Sequence, residues 1–248
     1  MTDLIATVER ERDRDEFIRS GFKLLRLPAM SDHYSDVLER NVDYTCMSIG
    51  EILEEFIMEE LARRKDKATE RRLRDARLWY PHADVNDISY EGKKVTRQQV
   101  LNLCRCSFID AKAFVIITGS PRSGTTFLGC ALGASSCRLK YRTLYVRYFD
   151  LLQEMSSARR EPENLQEKLQ QFKEAECLII DDWMNADVSH NELVILREIL
   201  DYRSKFGGTI LISHTKVDLW KTRMVSETSY RTSLFETITK GATILEVN

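Results

Sequence analysis

The stretch Phe114-Val-Ile-Ile-Thr-Gly119-Ser-Pro-Arg-Ser-Gly124-Thr-Thr126 decides how this chain folds. Phe114–Thr118 is a short, continuous apolar run, as a strand buried on both faces shows. A glycine-bearing loop follows, then an apolar helical stretch from Thr126 to about Cys137. That order is the context in which a loop wraps phosphate. Glycines let the backbone turn tightly with its N–H groups inward, and the helix N-terminus adds partial positive charge. Gly119–Thr126 matches the pattern G-x-x-x-x-G-K-[ST] except at Thr125, which stands where lysine belongs. Gly119, Ser120, Pro121, Arg122, Ser123, Gly124, Thr125 and Thr126 are the candidate nucleotide-binding residues, with the Thr126 hydroxyl a ligand for Mg²⁺. What is missing is the ammonium that reaches the β- and γ-phosphates. The plainer alternative is a glycine turn that merely joins strand to helix.

Beyond the loop, Thr143–Val146, Cys177–Ile180, Thr209–Ser213 and Thr243–Val247 read as strands, and Phe149–Ser157 as a helix. Ser189-His-Asn-Glu192 has the S-x-x-E capping-box form and opens a helix that Gly207-Gly208 ends. Strands alternating with helices from residue 114 onward imply an α/β fold, a parallel sheet with helices on both faces. The strand Cys177–Ile180 exits into Asp181-Asp182, two carboxylates at the carboxyl end of a buried strand, where open α/β sheets bind ligands. Asp181 is the second candidate ligand for Mg²⁺, and Asp182 is the candidate to orient or activate water. Taken alone, a strand-to-turn exit explains Asp-Asp as well; a phosphate loop earlier in the same sheet gives the pair its weight. His214 ends the fourth strand, either beside a γ-phosphate as a second catalytic candidate or as a surface histidine.

The chain N-terminal to the loop reads as helical. Asp3–Leu25 has helical apolar spacing and ends at Leu27-Pro28, and a second helix starts at Ser31. Two further capping boxes, Ser48–Glu51 and Thr96–Gln99, open helices running to about Trp79 and towards Cys106. The organisation is a small all-helical N-terminal region over 1–95, for DNA or partner contact, before an α/β domain over 96–248. With 43% hydrophobic and 31% charged residues the composition is that of a folded chain. Asp, Glu and Arg crowd the first twenty residues, unlike a signal or transit peptide, and no apolar run approaches the roughly 20 residues that span a bilayer. Six cysteines without repeated C-x-x-C spacing read as reduced thiols, so a cytoplasmic location is expected and a zinc site is not. A net charge of −2 leaves nucleic-acid contact to local patches.

Nearly the whole chain resembles the IstB-like transposition helpers, relatives of the DnaC helicase loader. The matching stretches are Leu24-Leu-Arg-Leu-Pro-Ala-Met30, Ala76-Arg-Leu-Trp-Tyr-Pro81, Ala131-Leu-Gly133, Leu178-Ile-Ile-Asp-Asp-Trp183, Thr209-Ile-Leu-Ile-Ser213 and Trp220. The resemblance implies an AAA+ P-loop fold, ATP and Mg²⁺ as cofactors, homo-oligomers on duplex DNA, and a partner transposase of the same mobile element. Such proteins normally hydrolyse ATP. Three positions depart from the family: Thr125, His214 where an amide is usual, and Glu236-Thr237-Ile238 where Asp-Arg-Leu supplies an arginine to a neighbouring subunit's nucleotide. Binding is expected to outlast turnover, with Arg122 a candidate substitute cation. A competing resemblance rests on Pro121-Arg-Ser-Gly-Thr-Thr126, which also looks like the phosphosulfate loop of sulfotransferases. That family places the loop near its N-terminus, and here more than a hundred helical residues precede it.

Arg63, Arg64, Lys65, Lys67, Arg71, Arg72, Arg74 and Arg77 make eight basic against three acidic residues between 63 and 77. The plain reading is a solvated helix. With the resemblance, they are the candidates for contact with the phosphate backbone of DNA, without base specificity. Lacking an aromatic face, the stretch is not a membrane-binding helix.

Overall fold

The computed structural model describes residues 2–40, 42–158, 162–224 and 228–248. The chain divides into two compact units, Met1–Glu70 and Arg71–Asn248. The first holds α1 (Thr2–Leu24), α2 (Pro28–Arg40) and most of α3 (Ile49–Asp75). Phe56 of α3 is its buried hub, with the rings of Phe22, His33 and Tyr34 around it. α2 starts at Pro28, not at the expected Ser31, because proline suits the first helical position and the Ala29 N–H is taken by Glu60 at 2.9 Å. α3 begins with the expected box, Glu51 N donating to Ser48 Oγ at 3.3 Å.

In the second unit come α4 (Arg97–Leu103), α5 (Ser107–Asp110), β1 (Phe114–Thr118), α6 (Thr125–Arg138), β2 (Thr143–Arg147), α7 (Tyr148–Ala158) and α8 (Pro162–Glu174). After them are β3 (Cys177–Asp181), α9 (His190–Phe206), β4 (Gly208–Ser213), α10 (Trp220–Arg223), α11 (Thr228–Thr239) and β5 (Thr243–Glu246). The strands form one parallel sheet in the order β2-β3-β4-β1-β5. Period-two alternation splits its side chains between two cores. Ile116, Val146, Ile180 and Leu211 face one core with Trp183 and Trp220, while Val115, Ile117, Ile179 and Ile212 face the other with α6 residues such as Leu132.

The boundary expected near residue 95 falls instead at 70. Ala76, Leu78, Ala83 and Val95 are buried in the core of the α/β unit, so the segment leading to α4 belongs to the sheet. The same pull ends α3 at Asp75, short of Trp79: Arg77 takes the left-handed conformation (φ 54°), and the Ala76 carbonyl accepts from Tyr145 N at 2.8 Å, covering the edge of β2. α4 stops at Leu103 because Cys106 is left-handed (φ 57°) and starts a new turn. α8 lies where the sequence reading places no element, although Leu165, Leu169 and Phe172 repeat at helical spacing on its buried side. At the exit of α8 the buried Arg203 donates to the carbonyls of Phe172 at 2.9 Å and Ala175 at 2.6 Å.

Candidate nucleotide site

The strand order sets the site. β4 lies between β1 and β3, so the carboxyl ends of these three strands stand side by side, with Thr118 in register with Ser213. The loop after β1, His214 after β4 and Asp181-Asp182 at the end of β3 therefore converge.

Gly119 leaves β1 donating its N–H to the Ser213 carbonyl at 3.3 Å. A Cβ there would come within 2.6 Å of Ser123 Oγ and 2.9 Å of Thr125 Cγ2, so the curled loop has room for glycine only. Arg122 (φ 68°) and Gly124 (φ 94°) both take left-handed conformations, and Gly124 caps α6. Thr125 is 1% exposed and its methyl faces Gly119 across the loop, so this position looks into the loop and not to solvent. Pro121 and Arg122 are exposed at the tip. Ser120 N donates to Asn248 Oδ1 at 2.8 Å, and the Asn248 amide donates back to the Ser120 hydroxyl. Ser123 Oγ is buried with no partner among the described residues.

Asp181 is 3% exposed and accepts from Tyr145 Oη at 2.7 Å and from Asp182 N at 2.8 Å. Burial pushes its carboxyl above the ordinary range, while hydrogen bonds from Tyr145, Asp182 N and the Thr126 hydroxyl pull it back. Burial, and then the neighbouring Asp181, raise the Tyr145 phenol strongly, so it stays a donor. Thr126 and Asp181 are thus brought together as two hard oxygen donors at the loop, a set that fits Mg²⁺. Asp182 is left-handed (φ 56°), and Arg147 Nη2 lies 3.1 Å from its Oδ2. His214 Nδ1 donates to the Gly119 carbonyl at 3.0 Å, and its Nε2 lies 3.7 Å from Asp182 Oδ1. His214 therefore bridges the loop and Asp182.

Arg147, Tyr145 and Asn248 are not among the expected site residues. Arg147 had a signal, a cation at the carboxyl end of a strand. Asn248 had none. At the third departing position Thr237 donates to Asp201 at 3.2 Å within the chain, and Ile238 is buried.

The eight basic residues divide. Arg63 pairs with Asp32 at 2.6 Å, and Arg64 with Glu60 at 2.8 Å and the Arg26 carbonyl at 2.8 Å, so both serve the packing of α2 on α3. Arg71 pairs with Asp75 at 3.6 Å. Lys65, Lys67, Arg72, Arg74 and Arg77 make no ion pair among the described residues.

A five-stranded parallel sheet with a phosphate loop after β1 and an acidic pair at the end of a strand two places away defines a P-loop protein of the AAA+ type. The chain belongs to the family of IstB-like ATP binding proteins, whose model matches residues 20–248. It is 32% identical over 168 residues (67% of this chain, 72% of the other) to a protein of insertion sequence IS1162 of Pseudomonas fluorescens, named for ATP binding. An insertion-sequence ATP-binding protein, y4uH of Sinorhizobium fredii, is 28% identical over 90% of this chain and 89% of its own. The fold is shared with solved structures of DnaI (TM-score 0.58, 19% identity, 67% of this chain and 92% of that one) and the DnaC helicase loader (0.54, 18%, 69% and 99%). Membership decides between the two readings of Pro121–Thr126, and the sulfotransferase reading falls away. Among the described residues, no helix is long and apolar enough to cross a membrane.

Proposed function

We propose that this chain is an ATP-binding helper of a DNA transposition system, which assembles as a homo-oligomer on duplex DNA, assists a partner transposase in the cytoplasm, and turns ATP over slowly or not at all. The observation that carries this reading is the meeting of the Thr126 hydroxyl with the buried Asp181 carboxylate beside a loop with space for glycine only. Thr126 and Asp181 would hold Mg²⁺, which when bound would supply positive charge to offset that of the phosphates. The N–H groups of Arg122, Gly124, Thr125 and Thr126, the ones not given to other acceptors, would cradle the phosphates, with His214 and Asp182 at the γ-phosphate end. The missing loop lysine and missing trans arginine argue against vigorous hydrolysis, since electrostatic stabilisation is most of what a protein supplies to phosphoryl transfer. The insertion-sequence relatives support the transposition role, and a DnaA structure of similar fold, with AMPPCP and single-stranded DNA, supports nucleotide and DNA as ligands (TM-score 0.56). The test is calorimetric titration with ATP and with a phosphosulfate nucleotide, with and without Mg²⁺. Mg²⁺-dependent ATP binding supports the reading, and preference for the phosphosulfate overturns it.

A further inference from the structure

The loop lacks its lysine, yet an ammonium stands beside it. A Cβ added to Gly124 would lie 3.5 Å from Lys93 Nζ, and no side chain from elsewhere among the described residues comes within 4 Å of that point. We propose that Lys93 supplies, from outside the loop, the phosphate-binding cation that Thr125 does not, an inference that rests on ATP being the ligand of this site. The backbone holds Lys93 there. It closes a turn by donating its N–H to the Tyr90 carbonyl at 3.2 Å, and Gly92 takes the left-handed conformation (φ 70°) that the turn needs. On the other side Val95 is 3% exposed in the core, and Lys94 is tied to Glu246 at 2.8 Å. Glu246 is in register with Thr118, the residue before Gly119, so this ion pair fastens the turn to the strand that feeds the loop.

Two neighbouring lysines thus have different tasks. Lys94 has a carboxylate partner; Lys93 has no ion pair among the described residues and is half-buried over the N-cap of a 14-residue helix. A cation at the positive end of a helix is unfavourably placed until an anion joins it. The phosphate chain of a nucleotide is that anion, and the buried Ser123 hydroxyl of the same loop, with no partner among the described residues, points to the same ligand. Arg122, by contrast, is exposed at the loop tip with nothing fixing its side chain among the described residues.

The test is calorimetric Mg·ATP affinity of the full chain, its Lys93→Gln and Lys93→Arg variants, and Lys93→Gln combined with Thr125→Lys. Lys93→Gln weakens binding roughly tenfold or more, the scale of one hydrogen bond to a charged group. Lys93→Arg restores most of it, and without nucleotide neither variant unfolds at a lower temperature than the natural protein. With Thr125→Lys present the loss from Lys93→Gln shrinks, because two cations serving one ligand are not additive. The proposal is overturned if Lys93→Gln binds like the natural protein, or if Lys93→Arg is as weak as Lys93→Gln. A natural protein that binds no ATP at millimolar concentration overturns the ATP reading itself, and the role of Lys93 with it.

Discussion

Arg147 and Asp182 form a two-point contact, with Nη2 at 3.1 Å and Nε at 3.3 Å from the same carboxylate oxygen. The guanidinium also lies over the Trp79 ring, 5.6 Å from its centre. A carboxylate engaged in this way is a poor partner for water, and this adds a third obstacle to hydrolysis beside the missing lysine and arginine. Arg147→Met should raise phosphate release several-fold. Because the pair is partly exposed, the variant should lose no more than about 1 kcal/mol of stability. Unchanged release would mean that Asp182 is not limited by Arg147.

Thr125→Lys restores the family's cation at a position that looks into the loop. ATP binding should tighten by about 1–3 kcal/mol, roughly five- to 150-fold in Kd. Calorimetric titration checks it. An unchanged affinity would place Thr125 away from the phosphates.

Asp181 gives a pH signature. Its carboxyl is raised above its ordinary 3.8, chiefly by burial. The folded protein therefore holds that proton more tightly than the unfolded chain does. The group's contribution to stability is whole below the unfolded value and is lost as pH rises through the folded one. Asp181→Asn removes this dependence, so the variant's unfolding temperature relative to the natural protein should climb as pH rises above the ordinary carboxylate value of 3.8. The same variant should lose stabilisation by Mg·ATP. Thermal unfolding across pH, with and without Mg·ATP, measures both, and a difference that falls with pH would refute the assignment.

DNA binding, if it runs through α3 and the residues after it, should depend on the cations that do not hold α2 to α3. Charge reversal at Arg71, Arg72 and Arg74 should weaken binding to duplexes of any sequence and flatten the log–log salt slope by about 0.9 for each phosphate no longer neutralised. Reversal at Arg63 or Arg64 should instead unsettle α2 and α3, whose Asp32 and Glu60 these residues hold. Fluorescence anisotropy at several salt concentrations, beside circular dichroism, separates the two. A salt slope that survives the triple reversal points to another face.

The sheet was legible because buried parallel strands are written as short apolar runs: Phe114–Thr118 is found with the bounds its composition suggests. All three capping boxes were legible too, since a box needs only residues three apart. The loop and Asp181-Asp182 could be read because their types and their places at strand ends are both local facts. What could not be read depends on residues that meet from far apart in sequence. Ala76 covers the edge of β2 across 69 residues, a pairing that moved the unit boundary and ended α3 early. Arg147 reaches Asp182 across 35 residues, and the Lys93 ammonium stands over Gly124 in a turn that Lys94 fastens to Glu246. Side-chain reach of this kind leaves no periodic trace.

The central claim is binding without turnover, and steady-state phosphate release at saturating ATP, Mg²⁺ and duplex DNA tests it most directly. The account predicts release below about 10⁻² s⁻¹, the scale of slow intrinsic nucleotide hydrolases, with Asp182→Asn indistinguishable from the natural protein. Release at about 1 s⁻¹ or faster, on the ordinary enzyme scale, and abolished by Asp182→Asn, would contradict it.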